Sequence, residues 1–353
     1  TKHLDMRNVL VPDNREVRKT WRSDCIKALS KVHTLVKLDL CRCSSDFLDE
    51  IVAACPQLEY ISAKAIKNSQ INMTNLGNCP NLIELNIRSL EGITVINVSA
   101  LMNLTKLKHL SLITVKNMSE VLEVVGKMTQ LESLELGEMI NVTETHVIQG
   151  LSQLTKLRRL RLEKGQQDCP TDAILRTISQ LPSLVQLELI NFDVKAGFEV
   201  SLARCSNIRI LFLIPTYVTQ SAHTNHFVIE GVSKLNKTLK YFVWGLTLEL
   251  LKVTDMFIDQ WEMGQKMNSA NSPTQNPTQN PQEKVEGDSI PIMNPGISDC
   301  MEKEGVVLQV DVLRLPKVHK LLTTRLPNTK IKILKVRFCD TWRQNISDLS
   351  QCL

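Results

Sequence analysis

Residues 107–112 read Leu-Lys-His-Leu-Ser-Leu, residues 131–136 read Leu-Glu-Ser-Leu-Glu-Leu, and residues 157–162 read Leu-Arg-Arg-Leu-Arg-Leu. Each is the template Leu-x-x-Leu-x-Leu. With Ile, Ala, Phe or Trp in a few places, the template begins at nine positions, namely 35, 58, 82, 107, 131, 157, 184, 208 and 239. The starts lie 23 to 31 residues apart. This period is the sequence signature of leucine-rich repeats.

Each repeat predicts one strand followed by one helix. The second and third leucines alternate with other residues, as in a strand, and the next ten or so residues have helical spacing. Because no repeat can bury its apolar face alone, we expect neighbours to stack. Strands pack about 4.8 Å apart but helices need about 10 Å, so the stack must bend toward the strands. The predicted fold class is α/β: a leucine-rich-repeat solenoid, a right-handed horseshoe with a parallel concave sheet and convex helices.

The rhythm of the sequence divides the chain into four segments. Residues 1–245 are the leucine-rich repeats, and 246–267 have the apolar spacing of a helical insertion. Residues 268–289 are polar and punctuated by proline, so we expect a disordered linker. Residues 290–353 are interpreted as the last repeat and a C-terminal cap. Within them we expect a strand over 306–312, a helix over 317–326 and a strand over 330–337.

Composition excludes several classes of protein. The chain has 353 residues, 43% of them hydrophobic, which is enough for a large core. A formal net charge of +5 is too small for a nucleic-acid-binding face. No apolar stretch is long enough for a membrane span, and residues 1–5 lack the start of a signal peptide. The 10 cysteines lack a Cys-x-x-Cys spacing, so we expect reduced thiols and a cytoplasmic or nuclear location.

The sequence contains no motif for catalysis. It has no Gly-rich phosphate loop, no Gly-x-Ser-x-Gly and no His-Glu-x-x-His. His223 and His226 could share a helix face, but no third ligand accompanies them at a metal-site spacing. We therefore expect a protein that is not an enzyme and that has no cofactor and no metal.

The x residues of the template should project from the concave strands and meet a partner. Three arginines in the repeat that starts at 157 make it unusual, and an acidic partner segment is the natural match. On this basis, changing Arg159 and Arg161 together to Glu should weaken the partner at least tenfold without disturbing the fold. The candidate partner-binding residues are Lys108, His109, Glu132, Glu135, Arg158, Arg159, Arg161, Phe212, Tyr241, Lys335 and Arg337.

Cysteines before some strands suggest a family. Cys55-Pro56-Gln57-Leu58, Cys79-Pro80-Asn81-Leu82 and Cys205-Ser206-Asn207-Ile208, together with Leu-Asp-Leu-Cys-Arg-Cys at 38–43, resemble the cysteine-containing repeats of the F-box/leucine-rich-repeat family. The resemblance covers about residues 1–245 and the last strand. It implies a substrate receptor of a Skp-cullin-F-box ubiquitin ligase that holds its target on the concave face. It also implies that the Skp adaptor and the cullin bind only through an F-box upstream of Thr1, since this chain contains none.

Two other functions stay open. The first is a leucine-rich-repeat scaffold or inhibitor without a ligase role. The second is a secreted receptor ectodomain, because seven Asn-x-Ser/Thr sequons occur, at Asn72, Asn97, Asn103, Asn117, Asn141, Asn236 and Asn345.

Overall fold

The computed structural model describes residues 2–9, 11–12, 14–139, 141–165, 169–216, 221–256, 288–293 and 310–337. The chain divides into two compact units. The first comprises Thr1–Phe192 and Arg204–Ile210, and the second comprises Asp193–Ala203 and Leu211–Leu353. Among the described residues, no helix is both long and apolar enough to cross a membrane.

The first unit is built on a parallel sheet that follows the repeats. Its strands are β1 His3–Met6, β2 Lys37–Cys41, β3 Tyr60–Ile66, β4 Gln70–Asn72, β5 Glu84–Ile96, β6 His109–Val115, β7 Ser133–Gly137, β8 Arg159–Glu163 and β9 Gln186–Phe192. They pair in the order β1-β2-β3-β5-β6-β7-β8-β9, each parallel to the next. The leucines of the template form the core: Leu110, Leu134 and Leu160 are each at most 1% exposed.

Five α-helices alternate with these strands. They are α1 Arg15–Leu29, α2 Ser45–Ala54, α3 Met118–Val125, α4 Glu144–Leu151 and α5 Thr171–Ile178. Consecutive helices pack on one another: α1 on α2, α3 on α4 and α4 on α5. Side chains cap the starts of α1, α2 and α4, as where the Ser44 hydroxyl accepts a hydrogen bond from the Phe47 amide at the start of α2. The predicted fold class, an α/β leucine-rich-repeat solenoid with a parallel sheet and a layer of helices, is confirmed.

The prediction of one helix per repeat is wrong for the two repeats that contain β4 and β5. Here 3₁₀ turns, Leu76–Asn78 and Val98–Asn103, stand where other repeats have an α-helix. Strand β5 continues to Ile96, and its end pairs with β4. The run Ile93-Thr94-Val95-Ile96 explains the difference, because β-branched residues favour extended backbone.

The second unit contains three parallel-sheet strands and a separate hairpin. Strands β10 Ile210–Pro215, β11 Tyr241–Thr247 and β14 Lys330–Val336 lie in that order, and β12 Ser289–Met293 pairs antiparallel with β13 Val310–Arg314. The helices are α6 Phe198–Ala203, α7 Ser221–Ser233, α8 over 248–256 and α9 Leu315–Arg325. Helix α7 packs against α6 and β12, and the Asn225 amide donates a 2.8 Å hydrogen bond to the Pro291 carbonyl.

These elements test the predictions for the end of the chain in part. The helix predicted over 317–326 and the strand predicted over 330–337 are confirmed as α9 and β14. Strand β12 was missed, although Ile290 and Ile292 alternate as in a strand and are buried. The helix predicted from 246 is observed from 248 as α8, because 246 and 247 belong to β11. Residues 257–287, which include the rest of the predicted helix and most of the predicted linker, lie outside the described residues.

Candidate functional site

Pairing in register places the x residues of successive strands side by side in two rows, and we call the sheet surface that carries them the x face. Row A runs from β3 to β9 as Tyr60, Glu84, His109, Ser133, Arg159 and Gln186. Row B runs along the same strands as Ser62, Asn86, Ser111, Glu135, Arg161 and Glu188. Both rows lie entirely in the first unit.

A network of ion pairs joins the rows between β7 and β9, with Glu188 at its centre. This carboxylate is fully buried and accepts hydrogen bonds from Arg159 Nε at 3.0 Å, Gln186 Nε2 at 2.8 Å and Arg161 Nη1 at 3.1 Å. Arg159 Nη2 also lies 2.9 Å from Glu188 Oε1. With three side chains donating to it, the carboxylate is compensated well enough to be buried.

Arg159 bridges two carboxylates. Its Nη1 lies 2.8 Å from Glu135 Oε1, and the other oxygen of Glu135 accepts a 3.1 Å hydrogen bond from the Ser111 hydroxyl. Burial acts to lower the pKa of Arg159, but the charges of Glu135 and Glu188 outweigh burial and raise that pKa above its ordinary value. The guanidinium is thus held in place by its neighbours before any partner arrives.

Arg161 does not lie at the surface, and the prediction of an exposed side chain is wrong. It is 1% exposed, and its Nε is buried without a hydrogen-bond partner among the described residues. Glu188, the neighbour of Arg161 in row B on β9, supplies the opposite charge that makes burial of the guanidinium possible. Arg161 is part of the packing of the x face and is not available to an acidic partner.

Glu163 and Glu188 were missed as members of this cluster. Glu163 ends β8 with its Oε2 4.0 Å from Arg161 Nη2, and burial raises its pKa against the opposing charges of Arg161 and Arg88. Glu188 could have been found in the sequence, because it occupies the same template position as Arg161 one repeat later. Nothing in the template indicates Glu163, which follows the last leucine.

The rim of the x face carries one compensated pair and one exposed cation. Lys108 Nζ lies 2.8 Å from Glu132 Oε1, and the hydrogen bond from Lys108 lowers the pKa of Glu132. Arg158 is exposed and has no ion-pair partner among the described residues. Among Arg158, Arg159 and Arg161, only Arg158 is in a position to contact an acidic group of a partner.

A pocket of about 160 Å³ opens on the x face between β5 and β8. Its walls are the side chains of both rows, with Leu85 and Leu110 behind them; the polar lining residues are Glu84, Asn86, His109, Ser111, Ser133, Glu135 and Arg159. Of the predicted partner-binding residues, the structure therefore brings His109, Glu135 and Arg159 together in one pocket.

Four polar groups of the pocket are not engaged. The side chains of Glu84, Asn86, His109 and Ser133 are half-buried and form no hydrogen bond or ion pair with the described part of the chain. Glu135 and Arg159, by contrast, are bound to each other and to further neighbours. The sequence pointed to the arginines, whereas the free groups are on β5, β6 and β7.

The predicted partner-binding residues of the second unit differ in exposure: one is buried and the other three are exposed. Phe212 is 1% exposed, so the prediction of an exposed ring is wrong: residues 211–214 form a continuous apolar run, which is typical of a parallel strand buried on both faces. Tyr241 is 37% exposed, with Lys330 Nζ 5.9 Å from its ring centre. Lys335 is exposed and forms an ion pair with Asp288, and Arg337 is also exposed.

No group of three potential metal ligands occurs among the described residues. His223 and His226, on α7, instead flank the ring of Phe227 at centroid distances of 6.4 Å and 5.6 Å.

Comparison with known proteins adds little to this description. No family model matches the chain, and no curated protein matches it. Among solved structures, the crystal structure of a TLR13–ssRNA13 complex is 15% identical, with a TM-score of 0.38. The match covers 63% of this chain and 37% of the TLR13 chain, so this chain spans little more than a third of the length of that protein. A TM-score this low does not by itself establish a shared fold. The assignment of the fold is based on the strands and helices described above.

Proposed function

We propose that this chain is a protein-interaction module that holds a target protein on the x face, the face predicted to be concave, and that it serves as the substrate-recognition part of a Skp-cullin-F-box ubiquitin ligase. The observation that carries the first part is the pocket between β5 and β8. Polar groups without protein partners, grouped in a concavity of an ordered sheet, are available to a binding partner, because they can exchange hydrogen bonds to water for bonds to the partner.

The ligase role is supported by the repeat subtype. Cys55, Cys79 and Cys205, the cysteines of the family-like segments, are buried, and their thiols point at backbone carbonyls: Leu29 O at 3.7 Å, Asn75 O at 3.9 Å and Leu175 O at 3.6 Å, respectively. The Cys55 and Cys205 thiols contact carbonyls of the preceding repeat, whereas Cys79 contacts a carbonyl of its own turn. The common burial of these cysteines before a strand supports the proposal.

The free cysteines support a cytoplasmic or nuclear location. All seven described cysteines are free, among them four buried ones, which fits a reducing compartment. The proposed role is recognition without catalysis, and it assigns the chain no cofactor. The Skp adaptor and cullin would be engaged by an F-box upstream of Thr1.

One experiment tests both parts of the proposal. The native full-length protein is expressed in cells, and co-purification of the Skp adaptor is measured beside the ubiquitinated proteins that the complex retains. We expect adaptor binding, and we expect Ser133→Arg, which fills the pocket, to reduce the retained targets while adaptor binding persists. Absence of the adaptor would refute the ligase role and leave the scaffold alternative. Unchanged target retention in the variant would move the interface away from the pocket.

A further inference from the structure

We propose that the pocket between β5 and β8 binds one basic side chain, a lysine or arginine of the partner, and that the Glu84 carboxylate receives its charge. This inference rests on the proposed function in one respect, namely that a protein occupies the x face. The expected charge of the partner's binding group is therefore positive, opposite to the acidic partner segment predicted from the arginines of the sequence.

The charges of the x face lead to this sign. Glu135 and Glu188 carry two negative charges, and Arg159 and Arg161, which contact them at 2.8 to 3.1 Å, carry two positive ones. At the rim, outside the pocket, Lys108 and Glu132 neutralise each other, and Arg158 adds one exposed positive charge near Glu132. The charge that is left in the pocket is that of Glu84, which no described cation reaches.

Geometry keeps Glu84 apart from the arginines. Its neighbours in row A are Tyr60 on β3 and His109 on β6, whereas Arg159 stands three strands away. At about 4.8 Å per strand this separation is about 14 Å. Arg159 is also held by two other carboxylates, so it cannot turn toward Glu84 without breaking both contacts.

The size and the remaining groups of the pocket suit the end of a long side chain. A volume of about 160 Å³ is smaller than the roughly 300–1,000 Å³ of pockets for small organic ligands. Asn86, two residues along β5 from Glu84, and Ser133, two strands away on β7, line the same pocket and offer further oxygen acceptors, and an ammonium or guanidinium group needs several acceptors.

The test uses the purified chain and small probes, so it does not depend on a ligase. Methylguanidinium and methylammonium are titrated at pH 7.5, with acetate as the probe of opposite charge, and the histidine-ring signals are followed by NMR. The signal of His109 is identified by its absence in His109→Gln. We expect both cations to shift this signal in a saturable way, with a Kd in the millimolar range, and acetate to leave it unmoved.

Variants locate the site. Glu84→Gln should weaken methylguanidinium at least tenfold, and Ser133→Leu, which fills the pocket without changing a charge, should do the same. The matched control is Glu123→Gln, which removes the same charge from an exposed position on α3. Thermal melts confirm that each variant is folded.

Several outcomes would overturn the proposal: saturable binding of acetate but not of the cations, no saturable binding of any probe, or equal binding to Glu84→Gln and Glu123→Gln. If the cations bind as expected while the full-length protein fails to retain the Skp adaptor, the pocket stands and the ligase role falls.

Discussion

The ion pair between Arg161 and Glu188 offers the most demanding test of how the x face is built. Both side chains are buried, and Glu188 Oε2 accepts from Arg161 Nη1 at 3.1 Å. Replacing Glu188 with Leu leaves the buried guanidinium without its main partner. Glu163 cannot take its place, because it lies 4.0 Å away and burial already raises its pKa. Removing one partner of a buried pair costs about 3–5 kcal/mol, and we expect a loss of this size.

The reverse substitution should cost less. In Arg161→Met the carboxylate of Glu188 keeps Arg159 and Gln186, and the buried Nε that lacks a hydrogen-bond partner among the described residues is removed. We expect a loss of about 1–3 kcal/mol. In the double variant Arg161→Met, Glu188→Leu no charge of the pair is left behind, so its stability should return to within about 1 kcal/mol of the parent.

Equilibrium unfolding in urea, followed by far-ultraviolet circular dichroism, measures these differences, and the four proteins form a double-mutant cycle. The control cycle uses Lys108→Met and Glu132→Leu, whose ion pair is half-exposed and should contribute at most about 1 kcal/mol. A loss below about 1 kcal/mol for Glu188→Leu would refute the reasoning, since it would mean that water reaches Arg161 and screens its charge.

Three further predictions address the core, the pH dependence and the thiols. Leu134→Ala should lose about 2–5 kcal/mol in the same urea assay, because Leu134 is fully buried; an unchanged midpoint would contradict the repeat register. Burial raises the pKa of Glu163 above its ordinary 4.5, so the folded chain binds a proton at this carboxyl more tightly than the unfolded chain does. The resulting contribution to the free energy of unfolding is fully present below pH 4.5 and is lost as the pH rises through the folded-state pKa. Glu163→Gln should therefore melt higher than the parent at pH 7 but not at pH 4, and an equal difference at both pH values would contradict this. Burial raises the thiol pKa of Cys43 to about 11 and that of Cys205 to about 12, so iodoacetamide at pH 8 should label both only in urea, as read by mass spectrometry. Labelling of either thiol in the folded chain as fast as the partly exposed Cys41 would count against its burial.

The strands were predictable because their cause is local. A leucine at the second and third template positions is buried wherever the repeat stacks, so spacing alone located β6, β7 and β8. The two repeats with 3₁₀ turns show where this fails. Their apolar residues fit the template, but in the second of them the run Ile93–Ile96 is β-branched and continues strand β5, which the template does not indicate.

The functional surface was less predictable because pairing decides it. Spacing shows that Arg161 projects from the strand, but burial depends on Glu188, which lies 27 residues further on. The prediction that Phe212 is exposed was wrong for a related reason. Template alternation suggested an exposed ring, whereas the unbroken apolar run of β10 indicates burial on both faces, and the second pattern prevailed.

This dependence on pairing also changes how binding to the x face must be tested. Changing Arg159 and Arg161 together to Glu would bring two new carboxylates against Glu135 and Glu188, so that four acidic groups would share a largely buried site. Such a variant is expected to lose stability, and a loss of partner binding would then report unfolding, contrary to what the sequence suggested. Glu84 has no such neighbours. Its replacement by Gln removes a charge that the fold does not use, and for that reason a change in binding there can be assigned to the partner.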